Sequence, residues 1–256
     1  MSREERASAN IAPVTDIDLR ALEERLRPFV RTAWLPEVVD GDGPPTASKF
    51  AGGPVLAPNE QWPPCGNCGR PMQLFVQLNA ADLPTTEAAR LLGGFLQLFY
   101  CTSEDPVCES ECEAFFPHSR STLVRLQSPG SVRSDHQAMP LPGMFPPRRI
   151  VGWTAVTDVP GWEELADLGS ELSDEESEAL DLAGRVPHAG EKLGGWPSWV
   201  QGVEYPNCRR CGETMELLFQ IDSEHNLPYM FGDAGVGHIT QCTTHRDEVA
   251  FGWACS

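Results

Sequence analysis

Nine cysteines carry most of the chemistry this sequence offers: Cys65, Cys68, Cys101, Cys108, Cys112, Cys208, Cys211, Cys242 and Cys255. Two pairs have Cys-x-x-Cys spacing, Cys65-Gly-Asn-Cys68 and Cys208-Arg-Arg-Cys211. A tight turn that gathers two thiolates, with more Cys or His downstream, is the ligand pattern of a structural zinc site. Cys208, Cys211, Cys242 and His245 make a complete Cys3His set. Cys65, Cys68 and Cys101 need a fourth donor, Cys108 or Cys112. Cys108 is preferred because it is nearer across a polar loop. Each set closes four ligands, whereas a catalytic zinc keeps a position for water. The expectation is zinc as the cofactor, two structural ions per chain. Cys255, in the alternating stretch EVAFGWAC, reads as a buried strand cysteine.

Other chemistries are less well supplied. The sequence has no HExxH helix motif, no GxSxG elbow and no P-loop. Pro64-Cys65-Gly-Asn-Cys68 half-matches a deaminase pattern but lacks the upstream His-x-Glu. A redox role needs positive charge beside a thiol; Arg209 and Arg210 offer it in the second pair, but the first pair has Gly and Asn between its cysteines and the chain has net charge −18. An enzymatic alternative would use a cleft between two halves of the chain, with Cys112, His118, Asp222, His225 and Asp233 as the residues to test. Against it, Asp233 lies in Gly-Asp-Ala-Gly, the chemistry of a tight hairpin.

The elements that position the cysteines repeat. Residues 49–79 align with 192–222 at a constant offset of 143 (192 − 49), without a gap. Ten of the 31 positions are identical: Lys49, Gly52, Pro54, Pro63, Cys65, Cys68, Gly69, Met72, Leu74 and Gln77 match their counterparts. Both copies then run into an apolar segment ending in cysteine, at 94–101 and 235–242. Each module is a knuckle, a strand, a loop, a second strand and a cysteine. The expected fold is α+β and mainly β, an internally duplicated pair of pseudo-two-fold β modules, each with a zinc knuckle, plus an N-terminal helix. The expected organisation is a tail and amphipathic helix over 1–34, module one over 35–160, an acidic linker over 161–191 and module two over 192–256, in one compact body.

Strands are expected at 72–78, 95–101, 121–126, 150–157, 215–221, 236–242 and 248–255, where Leu, Val, Phe and Trp concentrate between Gly and Pro. Helical spacing of Leu19, Leu22, Leu26, Phe29 and Val30 predicts a helix over 15–33, capped by Thr15 and Asp18. Residues 163–183 are acidic, and Ser173 with Glu176 makes a capping box, which predicts a solvated helix between the modules. Residues 128–147 read as a Pro-rich surface loop. Gln77 and Gln220 occupy matching strand positions, suited to hydrogen-bonding backbone edges. Trp196 and Trp199 sit in a Gly/Pro loop and are the expected exposed pair.

Charge and length limit the function classes. Lys and Arg number 19 against 37 Asp and Glu, which argues against duplex DNA or an anionic membrane as partner. No run of 18 apolar residues is present, and MSREERASANIAPV has no signal-peptide core. A cytoplasmic location is expected.

Ser48–Pro54, the CxxCG-x2-M-x-L-x2-Q strand, Leu96–Cys101, Lys192–Pro197 and Phe231–Gly235 together resemble the YwqG-like family of bacterial proteins, a domain of unknown function, over residues 35–256. The cysteine-rich form also resembles, more weakly, the zinc-bearing domain of programmed cell death protein 2, regarded as a chaperone for a ribosomal protein. The resemblance implies a mainly β, duplicated fold and no established catalytic activity. The function expected is a non-enzymatic, zinc-stabilised protein-binding module, chaperone-like or toxin-neutralising, with a basic protein as partner.

Overall fold

The protein is described by a computed structural model covering residues 17–104, 107–108, 113–131 and 143–256. Among the described residues ten strands form one antiparallel sheet: β1 (Arg31–Asp40), β2 (Lys49–Phe50), β3 (Gln73–Asn79), β4 (Phe95–Tyr100), β5 (Thr122–Gln127), β6 (Arg148–Asp158), β7 (Lys192–Gly194), β8 (Glu216–Asp222), β9 (Val236–Gln241) and β10 (Val249–Ala254). The fold is α+β and mainly β, as expected. Seven of these strands fall within two residues of the predicted bounds. The strands β1, β2 and β7 are additions to the sequence pattern.

The sheet order is β10-β9-β8-β7-β1-β6-β2-β3-β4-β5. It reads as two five-strand runs placed back to back about the β1–β6 pair. Each run contains the first strand of the other half: β1 pairs with β6 and β7, and β6 pairs with β1 and β2. The same irregularity recurs in both copies, between Leu74 and Val76 in β3 and between Leu217 and Phe219 in β8. These positions differ by 143 (217 − 74). The sheet curls until its two edge strands, β10 and β5, approach each other, and the Trp253 indole N–H donates to the hydroxyl of Tyr100 on β4 at 3.0 Å. Phe50, Phe75, Tyr100, Phe219, Phe231 and Phe251 then share one core drawn from both halves.

The helices correct the sequence reading in two places. Helix α1 spans only Leu19–Leu26, with Asp18 as its cap; Thr15 lies outside the described residues. Pro28, which has no N–H to continue an α-helix, sits in the short 3-10 turn that follows, and by Arg31 the chain is a strand. A short turn, α2, covers Thr85–Ala88. The acidic segment is two helices, α3 (Trp162–Asp167) and α4 (Asp174–Leu182), separated by Gly169 at φ +77°. The expected capping box is present: Ser173 Oγ accepts from Glu176 N, and the Glu176 carboxylate accepts from Ser173 N. These helices are not wholly solvated, because Leu165 and Leu180 bury against Leu22 and Leu26 of α1. Most of the Pro-rich loop, residues 132–142, lies outside the described residues.

The matched glutamines have matched tasks. Gln77 Nε2 donates to the carbonyls of Pro45 and Ala47, and its Oε1 accepts from Val55 N at 2.9 Å. Gln220 Nε2 donates to the carbonyls of His188 and Gly190, and its Oε1 accepts from Ser198 N at 2.8 Å. All three partners again differ by 143 (188 − 45, 190 − 47, 198 − 55). Each glutamine pins a loop to a central strand by satisfying backbone groups that would otherwise be buried unpaired. Gln77→Leu and Gln220→Leu should each cost about 2 kcal/mol, the penalty for stranding such groups. Urea denaturation of each variant measures it, and a change under about 0.5 kcal/mol would refute the clamp.

Candidate metal centres

The two knuckles are built by the same backbone hydrogen bonds. Cys65 N donates to Arg70 O at 2.8 Å, Gly69 N to Cys65 O at 2.9 Å and Met72 N to Pro63 O at 3.0 Å. In the second half Cys208 N donates to Glu213 O at 2.8 Å, Gly212 N to Cys208 O at 2.8 Å and Met215 N to Pro206 O at 2.9 Å. Gly69 and Gly212 hold φ values of +69° and +76°, which a side chain would strain. The turn aims both thiols of each pair at one point. It also directs an amide at the first sulfur: Asn67 N and Arg210 N donate to Cys65 Sγ and Cys208 Sγ, both at 3.4 Å.

Two groups of donors result: Cys65, Cys68, Cys101 and Cys108, and Cys208, Cys211, Cys242 and His245. Within each, all donor atoms lie within 4.8 Å of one another, so both groups can hold a metal ion. These are the eight residues expected from the spacing. Cys112, the alternative fourth donor of the first group, lies outside the described residues. Cys255 is half-buried and follows β10 rather than lying within it.

The dimensions suit a tetrahedral ion. A zinc with sulfur ligands at about 2.3 Å requires sulfur–sulfur edges of roughly 3.8 Å. The edges are 3.5 Å for Cys65–Cys108 and 3.7 Å for Cys68–Cys101. They are 3.7 Å for Cys211–Cys242 and 3.7 Å for Cys208 Sγ to His245 Nδ1. A disulfide would require about 2.05 Å. At Cys68 burial acts to raise the pKa, but the Arg70 N–H and the adjacent thiols outweigh it and hold it near 7. At Cys208 burial is likewise overcome by the Arg210 and Cys211 N–H groups, holding it at about 6. Burial pushes Cys101 up to about 12 and raises Cys108 as well. Cys68 and Cys208 are thus the thiols held lower, and a cation at the centre would favour the thiolate form of Cys101 and Cys108 against burial.

The first group is the more enclosed: Cys65, Cys101 and Cys108 are buried under Leu56, Met72, Leu74 and Phe99. In the second, Cys211 is exposed and His245 half-buried. His245 N also donates to Cys242 Sγ at 3.2 Å.

The residues of the enzymatic alternative have separate commitments. Asp222 accepts from Gly190 N at 3.1 Å and from Ser223 N at 2.8 Å. His225 pairs with the buried Glu191. His118 stands near Arg209 and Glu248. Asp233 is in a hairpin closed by Gly235 N to Phe231 O at 2.7 Å, so the turn reading holds there. The tryptophan expectation is corrected at both positions: Trp199 is half-buried, its ring packed on Tyr205 and His238. Trp196 is buried, its indole N–H donating to Phe29 O at 2.8 Å and its ring stacked under the Arg31 guanidinium at 3.3 Å.

Sequence reasoning missed a second matched device. Lys192, fully buried, donates to Asp158 Oδ2 at 2.9 Å; Asp158 also accepts from Trp196 N at 2.8 Å and His188 N at 2.7 Å. Its duplicate joins Lys49 to Asp42 at 2.5 Å, with Gly53 N on the same carboxylate. The two lysines are identical positions in the repeat, which was the available signal. Their aspartates lie outside the aligned stretch.

Among the described residues no helix is long and apolar enough to cross a membrane. Comparison with known proteins finds that residues 48–241 match a family described as a domain of unknown function, DUF1963. A 39-residue stretch is 44% identical to an uncharacterized protein, YpfL, of Salmonella typhimurium strain LT2. That stretch is 15% of this chain and 9% of the relative, so the chain matches only a small part of that protein's length.

Proposed function

Since the chain belongs to the DUF1963 family, whose description assigns no activity, we propose from its own geometry that it is a non-enzymatic protein-binding module stabilised by two structural zinc ions. The observation that carries this reading is closure: each donor group supplies four protein ligands, three of them cysteine in one case and all four in the other. A tetrahedral ion in either group has no position left for substrate or water. Zinc there would tie the knuckle before β3 to the end of β4, and the knuckle before β8 to the end of β9. The YwqG-like resemblance agrees with a scaffold that is not defined by catalytic residues. Eight free metal-directed thiolate and imidazole ligands suit a reducing compartment such as the cytoplasm. A net charge of −18 selects a basic protein as partner and makes the association weaken with salt. Chaperone-like and toxin-neutralising roles both use such a surface.

Elemental analysis of protein purified without added metal should give about two zinc ions per chain. After replacement by cobalt, the absorption bands should be those of closed tetrahedral sites and should not move when azide or imidazole is added. Bands that shift with either ligand would reveal an open coordination position, and would favour the enzymatic reading that uses a cleft between the halves.

A further inference from the structure

The internal duplication exposes one place where the halves differ in kind. In the first half Gln97 on β4 is paired in register with Gln77 on β3 and with Arg125 on β5. In the second half the equivalent row is Gln220, His238 and Gly252. Arg125 fills its half. Its guanidinium donates to Gln97 Oε1 at 2.9 and 3.1 Å, pairs with Glu60, and lies 5.5 Å from the Phe99 ring. Gln97 Nε2 is occupied in turn by the Val55 carbonyl and Gln77 Oε1.

Gly252 has no side chain to do this. In its place is a cavity of about 640 Å³, walled by Phe115, Phe116, Trp199, Tyr205 and Trp253, with His238 in its lining. The space is only partly taken up: a Cβ on Gly252 would meet Phe115 O at 3.0 Å, and the Trp253 amide donates to that same carbonyl. His238 is 6% exposed, and its Nε2 has no hydrogen-bond partner among the described residues. The Trp199 ring lies 4.6 Å from that of His238, and its buried indole N–H faces the Glu164 carboxylate. Glu60 aligns with Val203 (60 + 143), but the next residue, Glu204, lines the cavity and returns a carboxylate to it.

We propose that this cavity takes an arginine side chain from a polypeptide partner, seating its guanidinium where the first half seats Arg125. This deepens the protein-binding reading and rests on it. Aromatic faces hold a cation, an acceptor on His238 replaces Gln97 Oε1, and Glu204 replaces Glu60. Burial first, and Lys192 second, push the pKa of His238 down to about 3 against the pull of the Ser198 carbonyl. The imidazole is therefore neutral near pH 7 and keeps a lone pair to accept with. A polypeptide source suits the chain's net charge of −18, which would draw a basic protein surface toward it.

The test titrates the zinc-loaded full chain with acetyl-Gly-Arg-Gly-amide and with its citrulline counterpart, which has the same shape without the charge. The signal is the indole N–H resonances of Trp199 and Trp253. The arginine peptide should shift them saturably and bind at least about tenfold more tightly than the citrulline peptide. His238→Leu should weaken the arginine peptide about fivefold or more while leaving zinc content unchanged. Equal binding of the two peptides, no saturable shift, or methylguanidinium binding as tightly as the peptide would each overturn the proposal. Zinc content and cobalt spectra are read separately, so failure here leaves the scaffold reading to stand or fall on its own measurements.

Discussion

Cys208→Ser should lower the melting temperature by roughly 10 °C and take zinc from about two ions per chain to about one. Metal binding and folding share one free energy when the site does not exist in the unfolded chain. Here the second half also has its own core, so the loss should be roughly 3–5 kcal/mol rather than the whole stability. At this chain length each kcal/mol moves the midpoint by about 2–4 °C. Cys208 is the appropriate target because it is buried, receives the Arg210 amide and begins the knuckle that leads into β8. Cys255→Ser is the control, being a cysteine outside both donor groups. Calorimetry with elemental analysis of both variants decides the matter. A Cys208 variant that keeps its full zinc, or a Cys255 variant that loses as much, would show the ligand assignment to be wrong.

Asp158→Ala should be comparably damaging with no change in zinc. The carboxylate is wholly buried and holds three donors: the Lys192 ammonium and the amides of Trp196 and His188. Removing one partner of a buried ion pair leaves the other charge uncompensated, at about 3–5 kcal/mol. Burial already lowers the Lys192 pKa, with Asp158 opposing the shift. The duplicate provides an internal comparison. Asp42 is 21% exposed, so water can solvate Lys49 in Asp42→Ala, and that variant should lose distinctly less. Combining Asp158→Ala with Lys192→Met should recover part of the loss, since the stranded ammonium is then gone. Chemical denaturation of the four proteins measures this. An Asp158 variant no weaker than the Asp42 variant would contradict the argument.

The donor groups were legible because zinc ligands come in short, ungapped spacings, and because the repeat supplies each set twice. The seven predicted strands were legible for a related reason: they are apolar runs bounded by Gly and Pro. β1 was not, because Pro36 and Glu37 interrupt any alternation and because the helical spacing of Leu19, Leu22 and Leu26 continues by chance into Phe29 and Val30. β2 and β7 are two and three residues long, too short for a periodicity; they exist because the sheet on either side of them is already in place. Trp196 looked exposed from its Gly/Pro setting. Its burial depends on Phe29 and Arg31, more than 160 residues away in sequence, and local pattern cannot carry that information. The Asp158 clamp escaped for the same reason.

The exchange of β1 and β6 between the two runs of the sheet also governs when the chain can fold. Arg31 pairs with Asp158, 127 residues later (158 − 31), and among the described residues the neighbours of β1 in the sheet are β6 and β7. During synthesis at about 5–20 residues per second, β1 leaves the ribosome on the order of 10 s before anything it can pair with. The first half would meanwhile present β2 with its outer side unpaired, and β1 as a loose extended segment. Such a segment invites pairing with other nascent chains. Pro36 removes one ladder donor from the middle of it and Glu37 adds a charge, both of which discourage a wrong partner. The residues that hid β1 from pattern recognition are thus the ones that keep it available until its own strand arrives.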